Sequence, residues 1–393
     1  MPGLLARNLD VRILTGTPQI QERSESDTDA SWYAATPGSW LAQTTLDGAP
    51  LERIRLPDSK NRLRTQIYYD ALLEVCQRPA GGPVVAQLLT NMRPQALPWL
   101  RQLKAAGVAT VYSVSQFPTW HQKPAKRILR RRGYRQVYNA FDALVTNSEA
   151  IESFLRGIGV TTRIEYIPNG VNLERFHPAR PGREQALRED LRNRLGIPAG
   201  HRVIAVVGAI MPRKGPDFVL RAWRQVLPRF PDTHVLFVGP RADTHDPKLA
   251  TFGAEIAELV ATSGAREQVH FAGIVDDVDT YLRAADLFIL ASNREGTPNS
   301  VLEAMATGLP CLVTPYLGIS AGIGQAGEHY QLVDRHPDAI AAALAELLAS
   351  EAHRKEFGDR GQRYVVANLD QQRSLDRYAA LYEELAATAA RRR

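Results

Sequence analysis

The stretch EGTPNSVLE, residues 295–303, comes three residues after the apolar run DLFILA at 286–291. A short apolar run of this kind predicts a buried strand, and a proline followed by helix-forming residues predicts the start of a helix. The same order occurs upstream, where RVIAVVG (202–208) leads through a short loop into a second helical pattern. Strand followed by helix is the repeating unit of a parallel sheet covered by helices. The stretch therefore indicates an α/β protein.

Strand-like runs alternate with helical patterns along the whole chain. The runs lie at 10–15, 51–56, 83–89, 108–114, 142–147 and 163–168, then at 202–207, 234–239, 268–273, 286–291, 311–314 and 329–333. A dense group of Pro, Asn and Gly in IPNGVNLERFHPARPG (167–182) marks a boundary between two halves. We therefore expect two doubly wound, Rossmann-like domains, 1–168 and 169–370, facing each other across a cleft. A last helix, 371–393, is expected to pack back on the first domain.

Composition supports a globular protein of two domains. The chain has 393 residues, 44% hydrophobic and 23% charged, which is too long for one ordinary core. No apolar run approaches the roughly 18 residues of a membrane span, and the first residues show no hydrophobic signal region, so we expect no export signal. Cys76 and Cys311 lie in apolar stretches and are expected to be reduced core residues. These features predict a cytoplasmic protein.

Charged residues stand at the expected carboxyl ends of two strands. Arg213 and Lys214 follow the 202–208 run, and Glu295 follows the 286–291 run. Two cations just before a helix N-terminus, where the dipole disfavours positive charge, indicate an anion between them. Glu303 lies within the next helix, where it can accept hydrogen bonds from a diol. Together these groups suit a ligand with a diphosphate and vicinal hydroxyls, as in a nucleotide sugar.

The helix expected at 298–307 supplies further candidates. Thr297 is a suitable N-cap, Pro298 suits the first helical position, and Gly308 is a natural stop. Because proline has no N–H, the expected backbone donors to phosphate are Thr297, Asn299 and Ser300.

The second half of the chain resembles the donor domain of family 4 glycosyltransferases, which have the GT-B fold. The resemblance rests on VVGAIMPRKGPDFVLRAW (206–223), on the stretch from 269 to 314 and on the linker at 167–178. The Glu-x7-Glu motif of the family falls on Glu295 and Glu303. The segment DALVTNSEA (142–150) resembles the end of the family's acceptor domain, so 1–168 is expected to be the acceptor side.

The resemblance implies retaining transfer of a sugar from a nucleotide sugar, with UDP favoured over GDP. The acceptor is a hydroxyl of a saccharide, a lipid-linked saccharide or a small molecule. Catalytic roles are implied for Arg213 and Lys214 at the diphosphate and for Glu295 at the donor sugar, with Glu303 at the ribose. The other implied donor-binding residues are Gly208, Ile274, Val275, Gly296, Thr297, Pro298, Asn299 and Ser300. The resemblance implies no metal and no other cofactor.

The first half departs from the family pattern. Family members open with a strand and a glycine-rich loop, whereas LLARNLDVRILT (4–15) matches the family's segment after that loop. We therefore expect that this first segment is missing. Ser115 and Gln116 stand where the family often has a His-Asp pair, and His121 is a candidate substitute, so Ser115 and His121 are the acceptor-side candidates. Two alternatives stay open: a non-catalytic or partner-dependent nucleotide-sugar binder, and another GT-B enzyme such as a sugar-nucleotide epimerase.

A run of basic residues interrupts the otherwise mixed charge of the chain, whose net charge is +6. The segment 123–135 has no acidic residue and seven basic ones, namely Lys123, Lys126, Arg127, Arg130, Arg131, Arg132 and Arg135. It is compatible with a solvated helix face or with peripheral contact to an anionic membrane. No recognised nucleic-acid-binding motif accompanies it, so nucleic acid is not expected as a partner.

Overall fold

A computed structural model of the chain describes residues 4, 7, 9–16, 36–41, 44–46, 49–54, 56, 62–78, 82–89, 92–117, 127–241 and 249–392. The chain divides into two compact units. One comprises Met1–Ile167 with Gln372–Arg393, and the other comprises Pro168–Gln371.

Between residues 49 and 313 strands alternate with helices, as the sequence predicts. The strands are β1 (Ile13–Gly16), β2 (Thr44–Leu46), β3 (Ala49–Ile54), β4 (Val85–Leu88), β5 (Ala109–Val114), β6 (Ala143–Thr146), β7 (Arg163–Tyr166), β8 (Arg202–Val207), β9 (Thr233–Val238), β10 (Val269–Phe271), β11 (Leu287–Leu290), β12 (Cys311–Val313) and β13 (Gln331–Leu332). The helices are α1 (Arg62–Gln77), α2 (Leu97–Ala105), α3 (Arg127–Tyr138), α4 (Glu149–Gly157), α5 (Arg183–Arg194), α6 (Pro216–Val226), α7 (Ala250–Ala261), α8 (Val278–Ala284), α9 (Asn299–Ala306), α10 (Pro337–Ala349), α11 (Glu351–Asn368) and α12 (Gln371–Ala390).

The unit 168–371 is built on one parallel sheet with the strand order β10-β9-β8-β11-β12-β13. Its central strands are buried on both faces, which explains why their sequences are continuous apolar runs rather than alternating ones. One face packs on a core that includes Trp223 of α6 and Leu344 of α10. The other face packs on a core that includes Leu302 and Met305 of α9. The core therefore holds the carboxyl ends of β8 and β11 in fixed positions.

The other unit is less regular than expected. Its main sheet is parallel, with the order β4-β5-β6-β7, but β1, β2 and β3 form a separate small sheet. In that small sheet β1 pairs with β3 in parallel and β2 pairs with β3 antiparallel. The predicted strands at 10–15 and 51–56 therefore lie in the small sheet, and the other four predicted strands of the first half form the main sheet.

The chain's last helix belongs to this same unit. Leu381, Leu385 and Ala389 of α12 share a core with Ala109 and Val145 of the β4–β7 sheet. On the helix surface Arg163 Nη1 donates to Glu384 Oε1 at 2.6 Å. Burial of apolar groups, with the ion pair added, holds α12 on this sheet.

Two elements lie where no element was predicted. Helix α5 has the sequence REQALREDLRNR and buries only Leu191 and Arg192. Its apolar periodicity is therefore too weak to predict a helix. Strand β2 has only three residues. Cys76 and Cys311 are both buried and free, as predicted. Among the described helices, none combines the length and the apolar sequence that a membrane span requires.

Candidate functional site

The candidate site lies where the strand order of the 168–371 sheet reverses. Strands β8 and β11 are neighbours at the centre of the sheet, although they are far apart in sequence. At such a switch point the loops after the two strands diverge and leave a crevice beyond their carboxyl ends. The loop after β8 carries Arg213 and Lys214, and the loop after β11 carries Glu295.

The Glu295 carboxylate brings the two loops together. Its Oε1 atom lies 2.9 Å from Arg213 Nη1 and 2.8 Å from Lys214 Nζ. The Ser292 hydroxyl donates to the same oxygen at 2.6 Å. No donor to the second oxygen, Oε2, is found among the residues that the structure describes. Oε1 is therefore saturated with donors, whereas Oε2 can still accept a hydrogen bond.

The charges of this group do not cancel. Two cations meet one carboxylate, which leaves a net positive charge at the carboxyl ends of β8 and β11. The side chains of Arg213 and Lys214 are 23% and 17% exposed, so both can still reach a ligand from solvent. Such a partly desolvated cation pair suits a diphosphate, whose charge it neutralises.

Backbone contacts fix the cation loop to the carboxylate loop. Arg213 Nη1 also donates to Arg294 O at 2.7 Å, and the N–H of Asn293 donates to Arg213 O at 3.1 Å. Gly208 ends the 202–208 run with φ at +139°, and a Cβ there would lie 3.3 Å from Lys214 Cε. The absence of a side chain at Gly208 thus gives the lysine its path to Glu295.

Helix α9 begins one residue later than predicted. Pro298 is the N-cap, with ψ at +100°, and Asn299 is the first helical residue, so the expected Thr297 cap was wrong. Extended ψ at Pro298 keeps that residue outside the helix, although its fixed φ suits either position. Asn169 of the linker donates from Nδ2 to Asn299 Oδ1 at 2.5 Å, which ties the linker to the helix start. Gly308 has φ at +83° and ends the helix as predicted.

Glu303 is the fifth residue of α9, in its second turn, and is half-buried. Its carboxylate has neither an ion pair nor a side-chain hydrogen bond with any residue in the described ranges. Burial raises the pKa of Glu303, and the Arg175 charge lowers it in part. A desolvated carboxylate without a partner is a strong acceptor for hydroxyl groups that arrive with a ligand.

The loop at 273–277 lies at the carboxyl end of β10, next to β9. The Ile274 side chain is 66% exposed, whereas Val275 packs on the core. Gly273 O accepts a hydrogen bond from the Gly239 N–H at 2.8 Å. Arg175 of the linker donates from Nε to Asp279 at 2.9 Å and from Nη2 to Asp276 O. The loop is therefore held both by the backbone of Gly239 and by the side chain of Arg175.

Sequence reasoning missed three residues that support the site: Ser292, Arg175 and Arg335. Arg335 donates from Nε to Ala291 O at 2.7 Å and from Nη2 to Pro212 O at 3.1 Å. Its guanidinium stacks on the Phe218 ring. It clamps the end of β11 to the cation loop. These contacts join residues far apart in the chain, so only Ser292, three residues before Glu295, carried a local signal.

Two family models match the chain. The model described as "Glycosyl transferases group 1" matches residues 188–364, and "Glycosyl transferase 4-like domain" matches residues 1–170. The chain belongs to the group 1, family 4 glycosyltransferases of the GT-B fold. The family predicted from the Glu-x7-Glu region is confirmed.

Curated relatives match the chain over somewhat more than half of their own length. A D-inositol 3-phosphate glycosyltransferase of Salinispora arenicola is 31% identical over 275 residues, which are 67% of this chain and 59% of the relative. Spore coat protein SA of Bacillus subtilis is 26% identical over 227 residues, 57% of this chain and 59% of the relative. The chain thus spans less than two thirds of the relatives it matches.

Solved structures share the fold. Sucrose-phosphate synthase of Thermosynechococcus elongatus superposes with a TM-score of 0.74 at 20% identity, covering 98% of this chain and 92% of that one. HepE of Anabaena, solved with UDP and glucose, gives a TM-score of 0.68 at 16% identity, covering 86% and 87%. The prediction of an α/β protein of the GT-B type is confirmed.

The remaining candidate residues lie in the unit that contains β4–β7. Ser115 is exposed just after β5, and His121 lies outside the described residues. In the basic segment, Arg131 donates to Gly157 O at 2.8 Å and to Ile158 O at 3.4 Å. Arg131 therefore satisfies carbonyls at the C-terminus of α4, where a cation is favourable. Lys123 and Lys126 lie outside the described residues.

Proposed function

We propose that the chain transfers a sugar from a nucleotide diphosphate sugar to an acceptor hydroxyl, with retention at the anomeric carbon. The observation that carries this proposal is the meeting of Arg213, Lys214 and Glu295 at the sheet's switch point. Helix α9 begins beside them and carries Glu303. UDP is the proposed nucleotide, which the bound UDP of the Anabaena neighbour supports.

In the proposed complex Arg213 and Lys214 bind the diphosphate. As the bond to the sugar breaks, negative charge develops on the leaving phosphate, and two preorganised cations stabilise it. The first N–H groups of α9, at Asn299 and Ser300, have no partner within the helix and point toward the same anion. These donors take the place of a metal ion in the proposed reaction.

The two glutamates act as binding residues in this mechanism. Glu303 accepts from the ribose diol, and Glu295 Oε2 accepts from a hydroxyl of the donor sugar. The acceptor oxygen attacks from the face that the diphosphate leaves, and the leaving phosphate takes the acceptor's proton. The protein contributes position and charge stabilisation. A small polyhydroxylated acceptor is supported by the curated relatives named D-inositol 3-phosphate glycosyltransferase.

A thermal-shift titration with UDP, GDP, ADP and their common sugars tests the donor site. We expect one nucleotide to raise the melting temperature of the wild type, and Lys214→Ala and Glu303→Ala to lose that shift. Arg221→Ala serves as the matched control, because Arg221 is an exposed cation that pairs with Glu255 on the outer side of α6. If both site variants keep the full shift, the nucleotide binds elsewhere and the proposal is wrong.

Turnover is tested separately with the nucleotide sugar that binds. Transfer to an acceptor, followed by NMR of the product, reports the configuration of the new glycosidic bond. Retained configuration supports the proposal. An inverted product would contradict the mechanism even if the donor site is correct.

A further inference from the structure

A tyrosine hydroxyl beside the carboxylate loop is buried and has no hydrogen-bond partner among the described residues. Tyr316 follows β12, and its side chain is 5% exposed. Among the residues that the structure describes, no group forms a hydrogen bond with its hydroxyl. Leaving a buried hydroxyl unpaired costs free energy, so native proteins rarely do it without a reason.

The backbone register brings Tyr316 to the same face as Glu295. Leu317 pairs in parallel with Arg294: the Leu317 N–H donates to Asn293 O at 2.9 Å, and the Glu295 N–H donates to Leu317 O at 3.3 Å. Side chains alternate along paired extended segments, so the residues on either side of this pair project to the opposite face. Tyr316 precedes Leu317 and Glu295 follows Arg294, so both are such neighbours. They therefore project together.

Charge and protonation agree with this placement. Burial raises the pKa of Tyr316, and the nearby Tyr330 hydroxyl and Glu295 carboxylate raise it further. The phenol is thus neutral at physiological pH and able to donate a hydrogen bond. Glu295 Oε1 already accepts from Ser292, Arg213 and Lys214. Among the described residues, Oε2 thus remains able to accept a hydrogen bond and the Tyr316 hydroxyl remains able to donate one.

We infer that the Tyr316 hydroxyl donates a hydrogen bond to a hydroxyl of the donor sugar, beside the one that Glu295 Oε2 accepts. This inference rests on the proposed function and adds a residue that contacts the sugar rather than the nucleotide. A sugar hydroxyl both donates and accepts, so one hydroxyl or two adjacent ones can satisfy both protein groups. The sugar would remove the unpaired state that the tyrosine has without ligand.

Tyr316→Phe tests the inference, because it removes the hydroxyl and keeps the ring. Calorimetric titrations compare UDP-glucose, UDP-N-acetylglucosamine and GDP-mannose with bare UDP and GDP. We expect the variant to bind the matched nucleotide sugar about five- to tenfold more weakly, as for one lost hydrogen bond, with unchanged affinity for the bare nucleotide. The melting temperature without ligand should be unchanged or higher, since an unpaired buried hydroxyl is gone.

Thr233→Val is the matched control. Thr233 has the other buried hydroxyl without a partner in the described chain. It is the first residue of β9, so it lies at the amino ends of the strands, whereas the candidate site lies at their carboxyl ends. This variant should bind both ligands as the wild type does. The inference is overturned if Tyr316→Phe binds the nucleotide sugar normally, or if it loses nucleotide and nucleotide sugar equally. Failure of the wild type to bind any of these ligands would instead contradict the proposed function, and with it this assignment.

Discussion

At the scale of single residues, the site depends on the Glu295 carboxylate, whose two oxygens have different roles. Oε1 of Glu295 holds the cations of the neighbouring loop, and Ser292 fixes the rotamer that makes this possible. A carboxylate held by three donors does not rotate freely. The cations are thereby preorganised before any diphosphate arrives, which is what electrostatic stabilisation of a leaving group requires.

Ser292→Ala tests this arrangement. The hydroxyl is fully buried and its bond to Glu295 is charge-assisted, so we expect a loss of about 2 kcal/mol, shared between folding stability and donor-sugar binding. Urea unfolding and nucleotide-sugar titration measure the two parts. Thr314→Val is the control, because its hydroxyl donates to Ser292 O rather than to Glu295. Equal effects of both variants on sugar binding would argue against a special role for Ser292.

At the scale of elements, helix α9 is held by close backbone contact with α11. A Cβ at Gly358 of α11 would lie 2.1 Å from Gly308 O, just past the end of α9. The two helices share a core that includes Met305 and Val365. Because the obstacle is backbone, no side-chain rotation can relieve it, and the position of α9 depends on this glycine.

Gly358→Ala should therefore destabilise the protein by about 3 kcal/mol or more, because one helix must shift to avoid the clash. Gly157→Ala is the matched control. A Cβ at Gly157, the last residue of α4, has no atom within 4 Å, so this change should be neutral or slightly stabilising. The melting temperatures of both variants test whether the α9–α11 contact tolerates a Cβ. A Gly358→Ala protein as stable as the control would mean that the helices separate easily.

A row of histidines links the amino ends of three strands. His201 Nδ1 lies 3.0 Å from His234 Nε2, and His234 Nδ1 lies 3.0 Å from His270 Nε2. Burial, the two neighbouring histidines and the Arg192 charge lower the pKa of His234 to about 4, while Asp232 opposes them. The native state therefore resists protonation more than the unfolded chain, whose histidines titrate near 6.5.

The unfolded state then binds more protons than the native state between about pH 6.5 and 4, so stability is lost as the pH falls through this window. His234 alone should account for about 2 to 3 kcal/mol of that loss. The free energy of unfolding of the wild type and of His234→Gln, measured at several pH values across the window, tests this. The variant should depend less on pH. Parallel curves for the two proteins would rule out His234 as the source.

At the scale of the whole molecule, the sequence predicted the parts that rest on local patterns. Apolar runs such as 202–207 and 286–291 are buried on both faces of a sheet, so they signal strands without any knowledge of partners. Leu302 and Met305 are buried as their helical spacing indicates. The family resemblance then related Glu295, Glu303, Arg213 and Lys214 to one ligand before the strand order was known.

The features that the sequence could not predict depend on contacts between distant residues. The clamp by Arg335 and the position of Arg175 result from packing across the sheet. The small sheet β1-β3-β2 depends on a strand of three residues, and α5 carries almost no apolar face. The Tyr316 hydroxyl, which has no hydrogen-bond partner among the described residues, owes this state to packing between segments that are distant in the sequence.

The proposed transfer also predicts independence from metal ions, because Arg213 and Lys214 supply the positive charge at the diphosphate. Excess EDTA should leave the rate of transfer unchanged at saturating nucleotide sugar. A parallel reaction with added Mg²⁺ or Mn²⁺ should show no gain beyond the effect of ionic strength. A rate that falls with EDTA and returns with either ion would contradict this part of the account.

The most direct measurement is a crystal structure of the chain with the nucleoside diphosphate that the titration selects. The account predicts that Lys214 Nζ and Arg213 Nη1 lie within about 3 Å of phosphate oxygens. It also predicts that the start of α9 faces the diphosphate and that Glu303 accepts from the ribose diol. A nucleotide bound away from the carboxyl ends of β8 and β11, with Arg213 and Lys214 still paired to Glu295 alone, would contradict the central claim.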